Sequence, residues 1–104
     1  MVNAIWTTYL QKKINSNKNL LFLIKSDQIR IYLFGSAKYK ISPNDLDILL
    51  TYNNKALSLV EISVIKQELK IHLDMLIPTD LLVLSYEEER QINFIKNELA
   101  VNLY

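Results

Sequence analysis

The chain has 104 residues, half of them apolar, with a formal net charge of +1 and no cysteine. That length fits one domain, residues 1–104, with a core that must be efficient. The near-neutral charge sets aside a strongly basic nucleic-acid binder, so direct nucleic-acid binding is not expected. The missing cysteines set aside a disulfide framework, a thiolate metal site and a cysteine nucleophile, in keeping with a cytoplasmic protein. Met1 to Trp6 lacks the basic and long apolar run of a signal peptide, and Leu20–Ile24 is far too short to span a bilayer.

Taken in order, Val2, Ile5, Trp6, Tyr9, Leu10 and Ile14 recur at spacings of three and four, predicting an amphipathic helix from Val2 to about Ile14. Asn15–Asn19 reads as a break. Leu20–Lys25 reads as a second helix ending near Ser26–Asp27. Ile29–Phe34 alternates and carries β-branched and aromatic residues, so it is the first strand, and Gly35 ends it. A second strand runs from Asp45 to about Thr51, and Asn53–Asn54 turns the chain. Leu57, Val60, Val64, Ile65, Leu69, Leu73 and Leu76 keep helical spacing and predict the longest helix, from Lys55 to about Met75. Asp80–Leu84 reads as a buried third strand. Ser85 with Glu88 forms a capping box for a last helix from Tyr86 to about Leu103, with Ile92, Ile95, Leu99 and Leu103 inward. The sum is an α/β (α+β) arrangement with one small mixed sheet packed with helices.

The chemistry concentrates between Leu33 and Leu50. The single glycine, Gly35, closes an apolar run, Ser36 follows at once, and a polar loop leads to Asp45-Leu46-Asp47. Glycine lets backbone approach a ligand closely or turn sharply after a strand. If Asp45–Thr51 is a strand, Asp45 and Asp47 share one face and Leu46 and Ile48 point to the core. Two carboxylates on one face repel each other unless a cation sits between them, and a hard divalent ion such as Mg²⁺ is the usual answer. Pro43 stiffens the approach to Asp45. Lys38 and Lys40 lie in the loop, where they read either as phosphate contacts or as solvated charges.

The order apolar strand, Gly35-Ser36, polar loop, Asp45-x-Asp47, apolar strand resembles the signature of the nucleotidyltransferase superfamily that shares its fold with DNA polymerase beta. The short length makes the chain most similar to the minimal nucleotidyltransferases. That resemblance implies a polymerase beta-like fold, Gly35 and Ser36 near the triphosphate (where the loop position also sets Lys38), Asp45 and Asp47 as Mg²⁺ ligands, and a third carboxylate on a later strand. Asp80, which opens the predicted third strand, is preferred for that place over Asp74. The resemblance further implies two Mg²⁺ ions, transfer of AMP from ATP or of another nucleotide from its triphosphate, and an acceptor hydroxyl. For the minimal members it implies an antitoxin that modifies a tyrosine of a HEPN-type toxin.

Two other classes stand beside that expectation. One is a catalytically silent module of the same fold that neutralises a partner by contact. The other is a transferase acting on a small molecule, its site completed by a neighbour in a homo-oligomer. His72, the single histidine, reads as structural. Glu87–Glu89 read as the negative first turn of a helix, Trp6 as a packing anchor, and the terminal Tyr104 as exposed.

Overall fold

In the computed structural model, which describes residues 3–74 and 76–104, the chain forms a four-stranded mixed sheet of order β3-β2-β1-β4 with its helices packed around it. The helices are α1 (Ile5–Asn15), α2 (Lys18–Lys25), α3 (Leu59–Leu73), α4 (Tyr86–Ile92) and the single turn α5 (Phe94–Asn97). The strands are β1 (Ile29–Phe34), β2 (Leu46–Tyr52), β3 (Thr79–Ser85) and the short β4 (Val101–Asn102), and a 3-10 turn, Gly35–Lys38, follows β1. β1 pairs antiparallel with β2 and with β4, whereas β2 and β3 are parallel. No helix among the described residues is long and apolar enough to cross a membrane.

Alternation along the strands divides the sheet into two faces. Ile29, Ile31 and Leu33 from β1 and Leu46, Ile48 and Leu50 from β2 are fully buried beneath α1, α2 and α3, where they meet Leu10, Ile14, Leu20, Leu69 and Leu73. Leu46 and Ile48 therefore point to the core as their spacing predicts. The opposite face holds a smaller cluster, Tyr32, Leu49 and Leu84, covered in part by Phe34, Phe94, Ile95 and Ala100.

α1, α2 and β1 follow the predicted order, with β1 matching its predicted bounds. Asn17 ends the break early by capping α2, its side chain accepting from the Leu20 N–H at 3.1 Å. The predicted start at Val2 lies outside the described residues. α3 is shorter than its periodicity suggests and is rotated. Ser58 caps it with Glu61 completing a capping box, which fixes its first turn at Leu59. In that phase Ile62, Ile65, Leu69 and Leu73 face the sheet, while Val60 and Val64 stay exposed, as does Leu76 beyond the helix. The segment carries two apolar stripes, and the cap decides which one is buried. The predicted helix end at Met75 lies outside the described residues.

The C-terminal region departs furthest from the predicted single helix. The Ser85–Glu88 capping box forms as expected, but Asn93 adopts a left-handed backbone at φ 60° and stops α4. After α5, Leu99 is again left-handed at φ 51°, and the chain reverses into β4 beside β1. Leu103 is buried as predicted, but from an extended segment whose N–H donates to the Ile31 carbonyl at 2.9 Å, whereas Ile92 and Leu99 are exposed. Tyr104 is not free at the terminus, since its hydroxyl donates to the Gln11 carbonyl at 2.8 Å. β3 is an edge strand with Leu82 partly exposed, so its apolar run is not the buried strand the sequence suggests.

The phase of α3 has a measurable consequence. In chemical denaturation, Leu69→Ala should lower stability by about 2–5 kcal/mol through the cavity it leaves, and Val64→Ala should change it by no more than about 0.5 kcal/mol.

Candidate metal centre

Asp47 and Asp80 face each other across the parallel β2–β3 ladder, where Asp47 registers with Asp80. Asp45 stands two residues before Asp47, just ahead of the first residue of β2. One carboxylate oxygen from each of Asp45, Asp47 and Asp80 lies within 4.8 Å of the other two, with Asp45 and Asp47 half-buried and Asp80 exposed. The trio occupies the sheet face away from α1–α3, because Asp47 and Asp80 alternate with the core residues Leu46, Ile48 and Leu81.

The glycine turn abuts this trio. Phe34 registers with Asp47 across the β1–β2 ladder, so Gly35 leaves the sheet beside the Asp47 carboxylate. Gly35 has φ +76°, and a Cβ built on it would run into Asp47 Oδ2 and stand 3.0 Å from Cγ. Glycine is needed here twice over, for the backbone angle and for the space the carboxylate fills. From β1 outward the order on this face is glycine turn, Asp47, Asp80 and the open edge of the sheet.

The electrostatics of the trio are unfavourable as the chain alone supplies them. Burial pushes the Asp47 carboxyl above its ordinary value, and the charges of Asp45 and Asp80 push it further. Among the described residues the one ion pair joins Arg30 to Asp27, and no lysine, arginine or histidine is paired with the trio. An all-carboxylate donor set, mutually repelling and within reach of one small ion, fits a hard divalent cation such as Mg²⁺. Three converging oxygens leave the rest of the coordination sphere for water or phosphate.

The remaining sequence candidates separate. Asp74 lies outside the trio: its Oδ1 accepts from the Thr79 N–H at 3.1 Å and fixes the entry to β3, so Asp80 is the third carboxylate of the cluster. Ser36 is half-buried in the turn next to Gly35, and Lys40 is exposed. Lys38 is not a solvated loop charge. It is 4% exposed, and its ammonium donates to the carbonyls of Glu98 at 3.1 Å and Leu99 at 2.9 Å. Turned toward those carbonyls, it anchors the glycine turn to the C-terminal segment. Nothing in the local sequence signals this role, because the carbonyls arrive from about sixty residues away. His72 donates to the Lys13 carbonyl and ties α3 to α1, in line with a structural role.

Trp6 holds the loop that feeds Asp45. Its Nε1–H donates to the Ile41 carbonyl at 2.8 Å, and its ring meets Tyr9 edge to face. A concavity of about 150 Å³ lies at the other end of the same sheet face and is lined by Arg30, Tyr32, Thr51, Tyr86 and Arg90 among others. Thr51 is four residues along β2 from Asp47, roughly 13 Å at the rise of a strand. Several of its polar groups are already engaged: Arg30 pairs with Asp27 and stacks on Tyr86, whose hydroxyl donates to the Asp27 carbonyl. Burial, with the Asp27 charge next, pushes the Tyr86 phenol up to about 12. The cleft lacks the converging unpaired charge of the trio.

Two outcomes follow from the Gly35–Asp47 contact. Gly35→Ala should lower stability by roughly 1–3 kcal/mol, read by thermal or denaturant unfolding. Asp47→Asn should raise it. A carboxyl whose pKa is higher folded than unfolded binds its proton more tightly in the folded state, so its ionisation destabilises the fold as pH rises through the folded pKa. In EDTA the Tm of Asp47→Asn should therefore exceed that of the parent at neutral pH, and the gap should close below the ordinary carboxylate range. Compared with protein-family models, curated proteins and solved structures, the chain matches none.

Proposed function

We propose that the chain is a metal-dependent nucleotidyltransferase of the polymerase beta-like fold, of the minimal kind, that transfers AMP from ATP, or another nucleotide from its triphosphate, to an acceptor hydroxyl. The observation that carries the reading is the convergence of Asp45, Asp47 and Asp80 beside a glycine turn that only glycine can make. The element order supports it as well: strand, glycine turn, Asp-x-Asp strand, long helix, and a parallel strand bearing the third carboxylate.

In this reading Asp45 and Asp47 hold Mg²⁺, with Asp80 as a further ligand. When bound, the ion neutralises the triphosphate and lowers the pKa of the attacking hydroxyl. The chain's own residues then have separable tasks. Asp45 and Asp47 fix the charge centre, and the Asp47 backbone is braced by the β1–β2 ladder. Gly35 and Ser36 leave room for phosphate next to Asp47. Lys38 serves the triphosphate indirectly, by holding the turn. Asp80, the most exposed of the trio, takes the acceptor proton.

The resemblance extends the proposal to biology: an antitoxin whose acceptor is a tyrosine on a HEPN-type toxin, working in the cytoplasm. A contact-only neutraliser is the competing reading, and the exposed Val60, Val64 and Ile71 on α3 are the observation that favours it. Titration calorimetry of the chain with ATP distinguishes the two. Binding should require Mg²⁺ and be lost in Asp45→Asn/Asp47→Asn, with AMP transfer down by about a hundredfold or more. No ATP binding in any condition, or neutralisation of a partner by the substituted chain, would support the contact-only reading.

A further inference from the structure

We propose that the acceptor is presented by an extended polypeptide segment that adds as a short strand to the outer edge of β3, next to Asp80. The inference deepens the transferase reading and rests on it. Its starting point is the set of backbone groups along β3. The Leu46 N–H donates to the Pro78 carbonyl at 2.9 Å, which sets the phase of the parallel ladder. In that phase Asp80, Leu82 and Leu84 turn their N–H and C=O toward β2, and Thr79, Leu81, Val83 and Ser85 turn theirs outward.

The two ends of this outer edge are already closed by side chains. Asp74 accepts from the Thr79 N–H, Lys70 donates to the Thr79 carbonyl, and Glu88 accepts from the Ser85 N–H at 2.8 Å. Between them the N–H and C=O of Leu81 and Val83 have no partner among the described residues. Closing both ends is how proteins guard an edge against indiscriminate pairing, and it leaves a gap matched to a short strand.

The gap lies beside the candidate chemistry. A strand added there runs about 4.8 Å beyond β3. A residue of that strand on the open face, level with Asp80, has its Cβ roughly 5 Å from that of Asp80. A serine, threonine or tyrosine hydroxyl at that place reaches the Asp80 carboxylate. The order across the sheet agrees with in-line displacement, in which the attacking and leaving oxygens lie on opposite sides of phosphorus. With pyrophosphate leaving toward Gly35 and Ser36, the acceptor must enter from the Asp80 side. The acceptor oxygen bonds to the α-phosphorus, the bond to pyrophosphate breaks with its electron pair, and the acceptor proton passes to Asp80.

Charge selects the class of occupant. Asp74, Asp80 and Glu88 are exposed along this border, and Lys70 is engaged with Thr79. Carboxylates repel a phosphodiester backbone and accept a neutral or basic peptide.

The test uses the full chain, α-labelled ATP with Mn²⁺, and short synthetic peptides containing tyrosine, serine or threonine, with N-acetyltyrosinamide as the acceptor that lacks a strand. Mn²⁺ and ATP binding are measured on the same samples. Peptides should be labelled well above N-acetyltyrosinamide. Val83→Pro, which removes an outward donor without touching the β2 ladder, should reduce peptide labelling by about tenfold or more and leave Mn²⁺ binding unchanged. Backbone N-methylation of the peptide on its pairing side should do the same, and it carries the test should Val83→Pro fail to fold. Equal labelling of N-acetyltyrosinamide, or indifference to both changes, overturns the inference, as does Mn²⁺ and ATP binding with no peptide labelled. A dimer of the chain that Val83→Pro dissociates also overturns it, by assigning the edge to a second copy. A chain that binds neither Mn²⁺ nor ATP overturns the transferase reading itself, and the inference falls with it.

Discussion

A carboxylate stands where the side chain of residue 35 would be. Asp47 is set by its place on β2, Gly35 by the end of β1, and the β1–β2 register brings the two positions together, so the turn after β1 can exist only without a Cβ. Much else follows from that contact. The left-handed angle at Gly35 lets the chain fold into the 3-10 turn directly above the sheet instead of running on past it. It also half-buries Asp47, and burial is the first cause of its raised pKa. The fold thus places an acid where its ionised form is disfavoured and surrounds it with two more, an arrangement that a divalent cation would relieve.

Both ends of the chain are used to hold this turn. Asn3 donates to the Lys38 carbonyl, and Trp6 donates to the Ile41 carbonyl, so the start of α1 grips the loop on either side of Tyr39 and Lys40. From the other terminus, the carbonyls of Glu98 and Leu99 take the Lys38 ammonium. Leu99 adopts a left-handed backbone to do so, a conformation that is unfavourable by roughly 1–2 kcal/mol for a residue with a Cβ. Buried and bonded to those two carbonyls, the Lys38 side chain braces the turn from the C-terminal segment.

What the sequence discloses and what it withholds divide along the range of the interactions. The first strand, the glycine that ends it, the Asp-x-Asp at the head of β2 and the Ser85–Glu88 capping box are readable because each is local: alternation, a missing side chain, or a serine three residues before a glutamate. The trio itself needs one long-range fact, the parallel register of Asp47 with Asp80, which spacing alone leaves open between Asp74 and Asp80. The misread features are those where tertiary packing overrides a pattern. α3 carries two apolar stripes, and the cap selects the one containing Ile62 and Leu69. The segment after Tyr86 has helical periodicity, yet Leu103 fills the core from an extended segment because β1 has a free edge to pair with. Lys38 is the extreme case, since its partners are remote in sequence and are backbone atoms, which leave no trace in residue type.

The sheet's connectivity explains why the acidic face is available at all. β2 and β3 are parallel, so the chain must cross over between them, and α3 makes that crossing on the face already occupied by α1 and α2. All the long helices therefore lie on one side. Among the described residues the other side is covered by α4, α5 and the C-terminal turn, and their apolar contacts, Phe94 against Phe34 and Ile95 against the Tyr32–Leu49–Leu84 cluster, reach as far as Phe34, beside Asp47, and do not include the trio. A helix continued from Tyr86 to Leu103, as the periodicity predicts, would lack the reversal that lets β4 pair with β1 and brings the Leu99 carbonyl to Lys38. The break at Asn93 and the turn at Leu99 are thus part of the site's construction. They end the cover of this face while anchoring the glycine turn, and they leave Asp80 as the outermost carboxylate on an edge whose two ends are closed and whose middle is open.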